Sequence, residues 1–168
     1  MVNSIADMLI RNKAIEFGDF TLASGVKSQY YVDIKSAITD PDLLGAIASS
    51  IARTHEFDLV AGVAVGGVPL AVATSMITKK PYAIIRSAEK SHGKKAVIIG
   101  NVKNRNVLLV EDVTTSGGSA LYGIEILRAA GAQADRVVTV VDREQGAEEM
   151  LKKRGVHFFP LVKVSEIL

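Results

Sequence analysis

The chain contains no cysteine, and this absence removes several kinds of chemistry at once. Disulfide bonds, thiol nucleophiles and thiolate-held metals are all excluded. The 168 residues include no uninterrupted apolar run of membrane-spanning length, and the N-terminus lacks a signal-peptide pattern. A net charge of only +2 gives no reason to expect nucleic-acid binding. We therefore expect a cytoplasmic protein that binds neither membranes nor nucleic acids.

Several familiar site motifs are absent as well. There is no glycine-rich loop ending in Gly-Lys-Ser/Thr, so a nucleoside triphosphate fits poorly, and no G-x-G-x-x-G of dinucleotide folds. No His-x-x-x-His pair or acidic cluster suggests a transition metal held by protein. The apolar content of 48% is nevertheless enough for a folded protein, and the length predicts one domain over residues 1–168.

Short apolar runs alternate with amphipathic segments along most of the chain. Such alternation predicts an α/β fold, an open, mostly parallel twisted sheet flanked by helices on both faces. The predicted strands cover residues 30–34, 58–63, 82–86, 96–101, 106–110, 136–141 and 157–162. The predicted helices cover residues 4–16, 41–55, 69–79, 119–130 and 147–154. The segments after Val63, Val110 and Val141 all follow strands, so we expect them at one edge, where such sheets bind ligands.

The richest of these segments is residues 106–119, Asn-Val-Leu-Leu-Val-Glu-Asp-Val-Thr-Thr-Ser-Gly-Gly-Ser. A buried strand leads through two acids into a turn of hydroxyl residues and glycines, and a helix follows. Such a turn presents free backbone N–H groups that bind a phosphate at the positive end of the helix dipole. The acid pair, Glu111 and Asp112, would repel that phosphate unless it served vicinal hydroxyls or a metal. A sugar phosphate is the ligand implied; the plain alternative is a strand end with two exposed acids and a flexible turn.

On these residues the segment resembles the 5-phosphoribosyl-1-diphosphate (PRPP) loop of type I phosphoribosyltransferases. The resemblance implies that Glu111 and Asp112 hold the ribose hydroxyls, and that Asp112 is also catalytic. It implies further that the turn cradles the 5-phosphate through Val113, Thr114, Thr115, Ser116, Gly117, Gly118 and Ser119.

A second glycine turn lies in residues 62–69, Gly-Val-Ala-Val-Gly-Gly-Val-Pro. Taken alone it is an ordinary tight turn before a helix. Beside the first motif it resembles the pyrophosphate loop of the same family, which implies that Val65 and Gly66 bind PRPP. The family's non-proline cis peptide would then join Ala64 to Val65.

Residues 86–95, Arg-Ser-Ala-Glu-Lys-Ser-His-Gly-Lys-Lys, form a basic segment. A solvated hairpin tip is the plain interpretation of such a run. Lys90-x-His92-Gly93 after Arg86, however, resembles the catalytic loop of the orotate-using members of the family. That implies that Arg86, Lys90 and His92 contact PRPP, with Lys90 and His92 catalytic, and that residues 87–95 reach the partner's site in a homodimer.

The site for the base is implied by two further stretches. Residues 21–33 resemble the Leu-x-Ser-Gly-x-x-Ser-x-Tyr motif of orotate-using members, which places Tyr31 and Val32 at the base with Thr115 assisting. Arg143, after the predicted strand 136–141, would bind the orotate carboxylate, since a guanidinium matches a carboxylate with two hydrogen bonds. A surface ion pair is the plain alternative for this arginine.

The resemblance implies transfer of a phosphoribosyl group from PRPP to orotate. Mg²⁺ would be held mainly by PRPP, and a small hood, residues 1–40 with the C-terminal end, would cover the base. Lysines common in relatives are replaced here by Ala23, Gly66 and Ser87, which implies either slower turnover or compensation by Lys27, Lys94 or Lys95. Two rivals remain open: a purine phosphoribosyltransferase, and a non-catalytic regulator on the same fold.

Overall fold

The computed structural model describes residues 4–22, 24–87 and 96–168. Helices and strands alternate along most of this length, as the apolar pattern predicts. Their order is α1 (Ile5–Arg11), β1 (Ile15–Thr21), β2 (Lys27–Val32), α2 (Ile34–Ala37), α3 (Pro41–Thr54), β3 (Leu59–Val63), α4 (Gly67–Thr78), β4 (Tyr82–Ile85), β5 (Ile98–Ile99), β6 (Asn106–Thr114), α5 (Gly118–Ala129), β7 (Gln133–Asp142), α6 (Ala147–Lys152) and β8 (His157–Lys163), with a final 3₁₀ turn (Val164–Glu166).

Six strands form the main sheet, in the order β5-β4-β3-β6-β7-β8. All neighbouring pairs are parallel except β4 with β5, which is antiparallel. The chain therefore has the predicted α/β fold with a mostly parallel sheet. Because β3, β6 and β7 are parallel neighbours, the segments that follow them meet at one edge, as predicted.

Two apolar cores lie on opposite faces of this sheet. Helices α1 to α4 pack on the face that Leu108 and Val110 of β6 share. Helices α5 and α6 pack on the other face, with Val107 and Leu109. Residues of one strand alternate between the two cores because successive side chains point to opposite faces.

Local sequence signals explain where α3 begins. Asp40 caps it, since its carboxylate accepts a hydrogen bond from the Leu43 N–H at 2.9 Å, and Pro41 occupies the first helical turn. The buried stripe of Leu43, Ile47 and Ile51 then faces the core. This helix begins and ends within a residue of its predicted bounds.

The N-terminal region differs from the sequence prediction. The prediction of a helix over residues 4–16 is wrong, because α1 ends at Arg11 and Lys13 adopts a left-handed backbone conformation with φ of 55°. The chain then enters β1, which pairs antiparallel with β2 in a separate two-stranded sheet. This hairpin lies within residues 1–40, the segment predicted to contribute to the hood.

Several strands differ in extent from their predictions. The strand predicted over 30–34 is β2, Lys27–Val32, because Ile34 already begins α2, and the strand predicted over 136–141 extends to Gln133–Asp142 as β7. The strand predicted over 96–101 is reduced to β5, Ile98–Ile99, at the edge of the sheet. Strand β6 continues four residues past Val110, so the acid pair lies inside the strand rather than after it. Within the described ranges, none of the helices combines the length and the apolar character needed to cross a membrane.

Candidate active site

The acid pair is buried at the carboxyl end of the central strand β6. Glu111 is 5% exposed and Asp112 is 6% exposed, so the alternative of two exposed acids at a strand end is wrong. The alternation along β6 directs Glu111 to the face of α5 and Asp112 to the face of α1–α4. The two carboxylates therefore approach the edge of the sheet from opposite sides of one strand.

Glu111 is held in a state that favours its protonated form. Burial raises the pKa of its carboxyl to about 8, and the neighbouring charge of Asp112 adds to the rise. Lys35 and a hydrogen bond with Ser119, the second residue of α5, act in the opposite direction on this pKa. Within the described part of the chain, Oε1 of Glu111 is buried without a hydrogen-bond partner. Such an oxygen can accept a hydrogen bond from a hydroxyl group or coordinate a hard cation.

Asp112 has a partner that the sequence did not reveal. Its Oδ2 lies 2.8 Å from Nζ of Lys35, on α2. Burial tends to lower the pKa of this lysine, but the hydrogen bond with Asp112 is the larger influence and leaves that pKa raised. No motif marks Lys35, which is one of 20 lysines and arginines in the chain. It is also far from Asp112 in sequence.

The turn after β6 has the geometry of an anion site. Gly117, with φ of 87°, adopts the left-handed conformation that reverses the chain into α5. Thr115, Ser116, Gly118 and Ser119 are exposed around it. The first N–H groups of a helix have no partner within the helix, so this end of α5 is suited to bind a phosphate.

Thr114 occupies a different position from its neighbours in the turn. It is buried, and its hydroxyl donates a hydrogen bond of 2.9 Å to Oγ1 of Thr139 in β7. The side chain is thus engaged inside the sheet, and the backbone of Thr114 is the part that faces the turn. Its carbonyl accepts a hydrogen bond of 2.9 Å from the Arg143 N–H.

The second glycine turn, residues 62–69, lies directly beside the acid pair. The peptide bond between Ala64 and Val65 is cis, at the position that the resemblance implies. A Cβ atom added to Gly66 would overlap the carboxylate of Asp112, which shows how closely the two segments approach. Val65 is largely exposed at the same edge.

Arg143 directly follows β7 and lies next to the β1–β2 hairpin. Its Cζ is 4.8 Å from the centre of the Tyr30 ring, a cation–π contact. Its Nε is buried and has no hydrogen-bond partner within residues 4–22, 24–87 and 96–168. The guanidinium is therefore held in place by an aromatic ring while a donor remains available.

Tyr30, rather than Tyr31, is the tyrosine that contacts Arg143, and sequence reasoning missed it. Along β2 the half-buried residues alternate with exposed ones, so Tyr30 and Val32 share the inner face. Tyr31 points to the other face, where its ring lies 5.7 Å from that of Phe20. The alternation of polar and aromatic residues could have shown which tyrosine faces inward.

The basic segment is only partly described. Arg86 is exposed at the end of β4; its N–H donates to the Val97 carbonyl at 2.8 Å, and its carbonyl accepts from the Tyr122 hydroxyl at 3.1 Å. Lys90, His92, Lys94 and Lys95 lie outside the described residues, as does Ala23. Their assigned roles stay predictions.

Among the described residues, no cluster of three or more His, Cys, Asp or Glu side chains could hold a metal by itself. The acid pair nonetheless offers two buried carboxylates at the sheet edge. Mg²⁺ is usually bound through one or two carboxylates together with substrate phosphates, so these residues fit a magnesium ion that arrives with a phosphorylated ligand.

Comparison with known proteins defines the class first. The model of the phosphoribosyl transferase domain matches residues 36–159, which include β3 to β7 and both glycine turns. The chain is therefore a phosphoribosyltransferase by fold and by family.

Individual relatives narrow the class. The orotate phosphoribosyltransferase of Methanocorpusculum labreanum is 62% identical over 168 residues, covering 100% of this chain and 99% of the relative. The crystal structure of orotate phosphoribosyltransferase from Aeropyrum pernix is 31% identical with a TM-score of 0.85, covering 98% of this chain and 96% of that one. A Mycobacterium tuberculosis orotate phosphoribosyltransferase crystallised with PRPP is 26% identical with a TM-score of 0.77, covering 96% and 95% of the two chains. The chain belongs to the orotate phosphoribosyltransferase family.

Proposed function

We propose that this chain transfers the 5-phosphoribosyl group of PRPP to orotate, giving orotidine 5-monophosphate and pyrophosphate in pyrimidine synthesis. In this reaction the bond from the anomeric carbon to the diphosphate oxygen breaks, and a bond from the same carbon to N1 of orotate forms. One arrangement supports the proposal most directly. The buried acid pair, the glycine-led start of α5 and the guanidinium of Arg143 all lie at one edge of the sheet.

PRPP occupies this edge through three groups of residues. The N–H groups and hydroxyls of residues 115–119 hold the 5-phosphate at the start of α5. Glu111 and Asp112 accept hydrogen bonds from the ribose hydroxyls, and the unpartnered Oε1 of Glu111 supports that role. Val65 and Gly66 bind the diphosphate beside Asp112. Bound Mg²⁺ would be held by PRPP together with the acid pair, and it would neutralise negative charge on the diphosphate.

Orotate binds between Arg143 and the hood. The available Nε of Arg143 and the stacking of its guanidinium on Tyr30 orient it for a planar carboxylate. Thr115 assists from the phosphate turn, and the backbone of Tyr31 and Val32 reads the edges of the base. The hairpin β1–β2, with the C-terminal end of the chain, forms the cover of this site. Ser165 ties that end to the loop of Arg143, since its N–H donates to Oε2 of Glu144 at 2.8 Å.

Catalysis then consists of positioning, charge stabilisation and exclusion of water. Departure of pyrophosphate leaves oxocarbenium character on the ribose, which the nearby Asp112 carboxylate stabilises. Arg86, Lys90 and His92 stabilise the charge on the leaving diphosphate, and His92 can donate a proton to it because an imidazole titrates near neutral pH. No side chain acts as a nucleophile.

The enzyme works as a homodimer in the cytoplasm, and residues 87–95 complete the partner's site. Exposed apolar side chains support such an interface: Met76 and Ile77 on α4, and Tyr82 and Ile99 on β4 and β5, the strands that precede and follow the basic segment in the chain. A cytoplasmic location is supported by the substrates, because phosphorylated metabolites do not cross membranes unaided.

The direct test is the fall in orotate absorbance when protein, PRPP and Mg²⁺ are mixed. Adenine, hypoxanthine and uracil are supplied in parallel, with product assays. Loss of orotate with release of pyrophosphate is the expected result. Turnover of a purine instead would replace the base assignment, and absence of turnover with every base would support the regulator.

A further inference from the structure

Lys35 is a cation at the active-site edge that none of the assigned roles uses. Its Nζ lies 2.8 Å from Oδ2 of Asp112, yet its side chain is 60% exposed whereas that of Asp112 is 8% exposed. The lysine thus contacts the buried carboxylate from the solvent side. Any ligand that reaches Asp112 along that side meets the ammonium group first.

The backbone that carries Lys35 is firmly anchored. Asp33 caps α2 by accepting a hydrogen bond from the Ser36 N–H at 3.1 Å, and its own N–H donates to the Ala14 carbonyl at 2.8 Å. Ile34 and Ala37, on either side of the lysine, are buried in the core. The Cα of Lys35 therefore stays in place, while its long side chain can swing the ammonium between neighbouring anions.

The same carboxylate oxygen also faces the second glycine turn. A Cβ atom at Gly66 would overlap Oδ2 of Asp112, the atom that Lys35 contacts. A side chain at position 66 is therefore incompatible with this placement of Asp112. The turn assigned to the diphosphate therefore cannot carry a cationic side chain at position 66. Lys35 places an ammonium group on the Asp112 carboxylate, which adjoins that turn.

We propose that Lys35 is a diphosphate-binding residue that exchanges partners: it neutralises Asp112 before substrate binds and contacts the diphosphate of PRPP afterwards. The exchange follows from charge. When PRPP binds, its ribose hydroxyls donate hydrogen bonds to Asp112, and its diphosphate brings several negative charges next to Lys35. This inference rests on the proposed function and deepens it. It names the residue that replaces a lysine within the glycine turn.

Pyrophosphate binding measures this role without turnover. Calorimetric titration of Lys35→Met, which keeps the stem and removes the charge, should show pyrophosphate bound ~10- to 100-fold more weakly, as expected for a lost charged hydrogen bond. Lys35→Arg should retain most of the affinity. Lys103→Met removes another exposed lysine, which precedes β6 at the opposite end of that strand, and should have no effect. Unchanged pyrophosphate affinity in Lys35→Met would overturn the proposal.

A double variant separates direct contact from simple neutralisation of Asp112. If Lys35 only screens that carboxylate, Lys35→Met combined with Asp112→Asn should bind pyrophosphate as well as Asp112→Asn alone, and the proposal fails. If Lys35 contacts the diphosphate, the double variant stays weaker than Asp112→Asn. Ribose 5-phosphate, which lacks a diphosphate, should bind Lys35→Met within ~2-fold of the unsubstituted chain.

These titrations do not depend on which base the enzyme uses. If the unsubstituted chain consumes no orotate but Lys35→Met still loses pyrophosphate affinity, the function is revised and the role of Lys35 stands. If orotate is consumed and the substitution changes neither pyrophosphate affinity nor the KM for PRPP, the function stands and the role of Lys35 is rejected.

Discussion

The carboxylate of Asp112 fills the space beside the Cα of Gly66 in which a side chain at that position would begin. Two segments that are far apart in sequence, the turn after β3 and the end of strand β6, therefore share a single small volume at the sheet edge. Glycine at position 66 is a requirement of packing and not of turn geometry, because its backbone is in the ordinary right-handed helical region. The absence of a lysine there is built into the placement of Asp112.

Gly66→Ala should weaken PRPP binding. The added Cβ displaces the Asp112 carboxylate and breaks its contact with Lys35, so we expect kcat/KM for PRPP to fall ~10- to 100-fold, the value of a charged hydrogen bond. Initial rates with varied PRPP measure this loss.

Gly45→Ala is the matched control for that substitution. Gly45 lies in α3 with open space where its Cβ would be, so alanine should leave the kinetics unchanged and stabilise the fold by up to ~1 kcal/mol. Equal kinetics for the two variants would show that position 66 tolerates a side chain and that Asp112 has another place to lie.

Arg143→Lys should raise the KM for orotate ~10- to 100-fold and leave the KM for PRPP within ~2-fold. Lysine keeps the charge, but it loses the paired hydrogen bonds to a carboxylate and the stacking on Tyr30. The preference for orotate over uracil, which lacks the carboxylate, should shrink in parallel. Steady-state rates with each substrate varied in turn provide the measurement.

Arg53→Lys is the control, because it makes the same change at an exposed position in the last turn of α3. A rise in the KM for PRPP with no change for orotate would assign Arg143 to the phosphate side of the site.

The sequence predicts the central elements well because their signals are local. Asp40 and Pro41 mark the start of α3, and the change from apolar to hydroxyl and glycine residues marks the passage from β6 to α5. Strand β1 has no such signal: only Ile15 is buried at its start, and its extended form depends on pairing with β2. The prediction from helical periodicity therefore made the first helix too long.

The same holds for the site: residues that are contiguous in sequence could be predicted, and contacts between distant segments could not. The order of acids, hydroxyls and glycines in residues 111–119 is contiguous, so the sequence alone locates it. The partner of Asp112 is not contiguous, because only the packing of α2 against β6 brings Lys35 to it. The choice between Tyr30 and Tyr31 likewise depended on which face of β2 packs inward.

Glu111 should make the stability of the protein depend on pH. Its pKa is about 8 when folded and near 4.5 when exposed, so between these values the folded state binds the extra proton. The free energy of unfolding should therefore fall as pH rises from about 4.5 to about 8, with a contribution of up to ~1.4 kcal/mol per pH unit. Denaturant titrations across this range measure the slope.

Glu111→Gln removes the titrating group and should flatten that contribution. Glu125→Gln, an exposed carboxylate on α5, is the control and should retain the slope. An identical pH profile for Glu111→Gln and the unsubstituted chain would mean that Glu111 is ionised in the folded protein at neutral pH.

Lys90→Ala should lower kcat by ~10²- to 10⁴-fold with a much smaller effect on orotate binding, because the lysine acts on the departing diphosphate. Arg143→Ala should be inactive at low orotate for a different reason. If residues 87–95 complete the partner's site, mixing the two variants under subunit exchange should restore about a quarter of normal activity.

The restored activity comes from hybrid dimers, in which one site combines an intact Arg143 with an intact Lys90 from the other subunit. Each variant mixed with itself is the control. Absence of recovery, with hybrids confirmed by native mass spectrometry, would mean that each subunit uses its own basic segment.

The two outer strands of the main sheet limit how copies of this chain can associate. Strand β5 has only two residues, and β8 contains Pro160, which offers no backbone N–H. Neither edge presents the long row of free donors and acceptors on which a second sheet could extend. Both ends of the main sheet are therefore poor templates for a further strand. We therefore expect two copies to meet through side chains on their surfaces rather than by extending the main sheet.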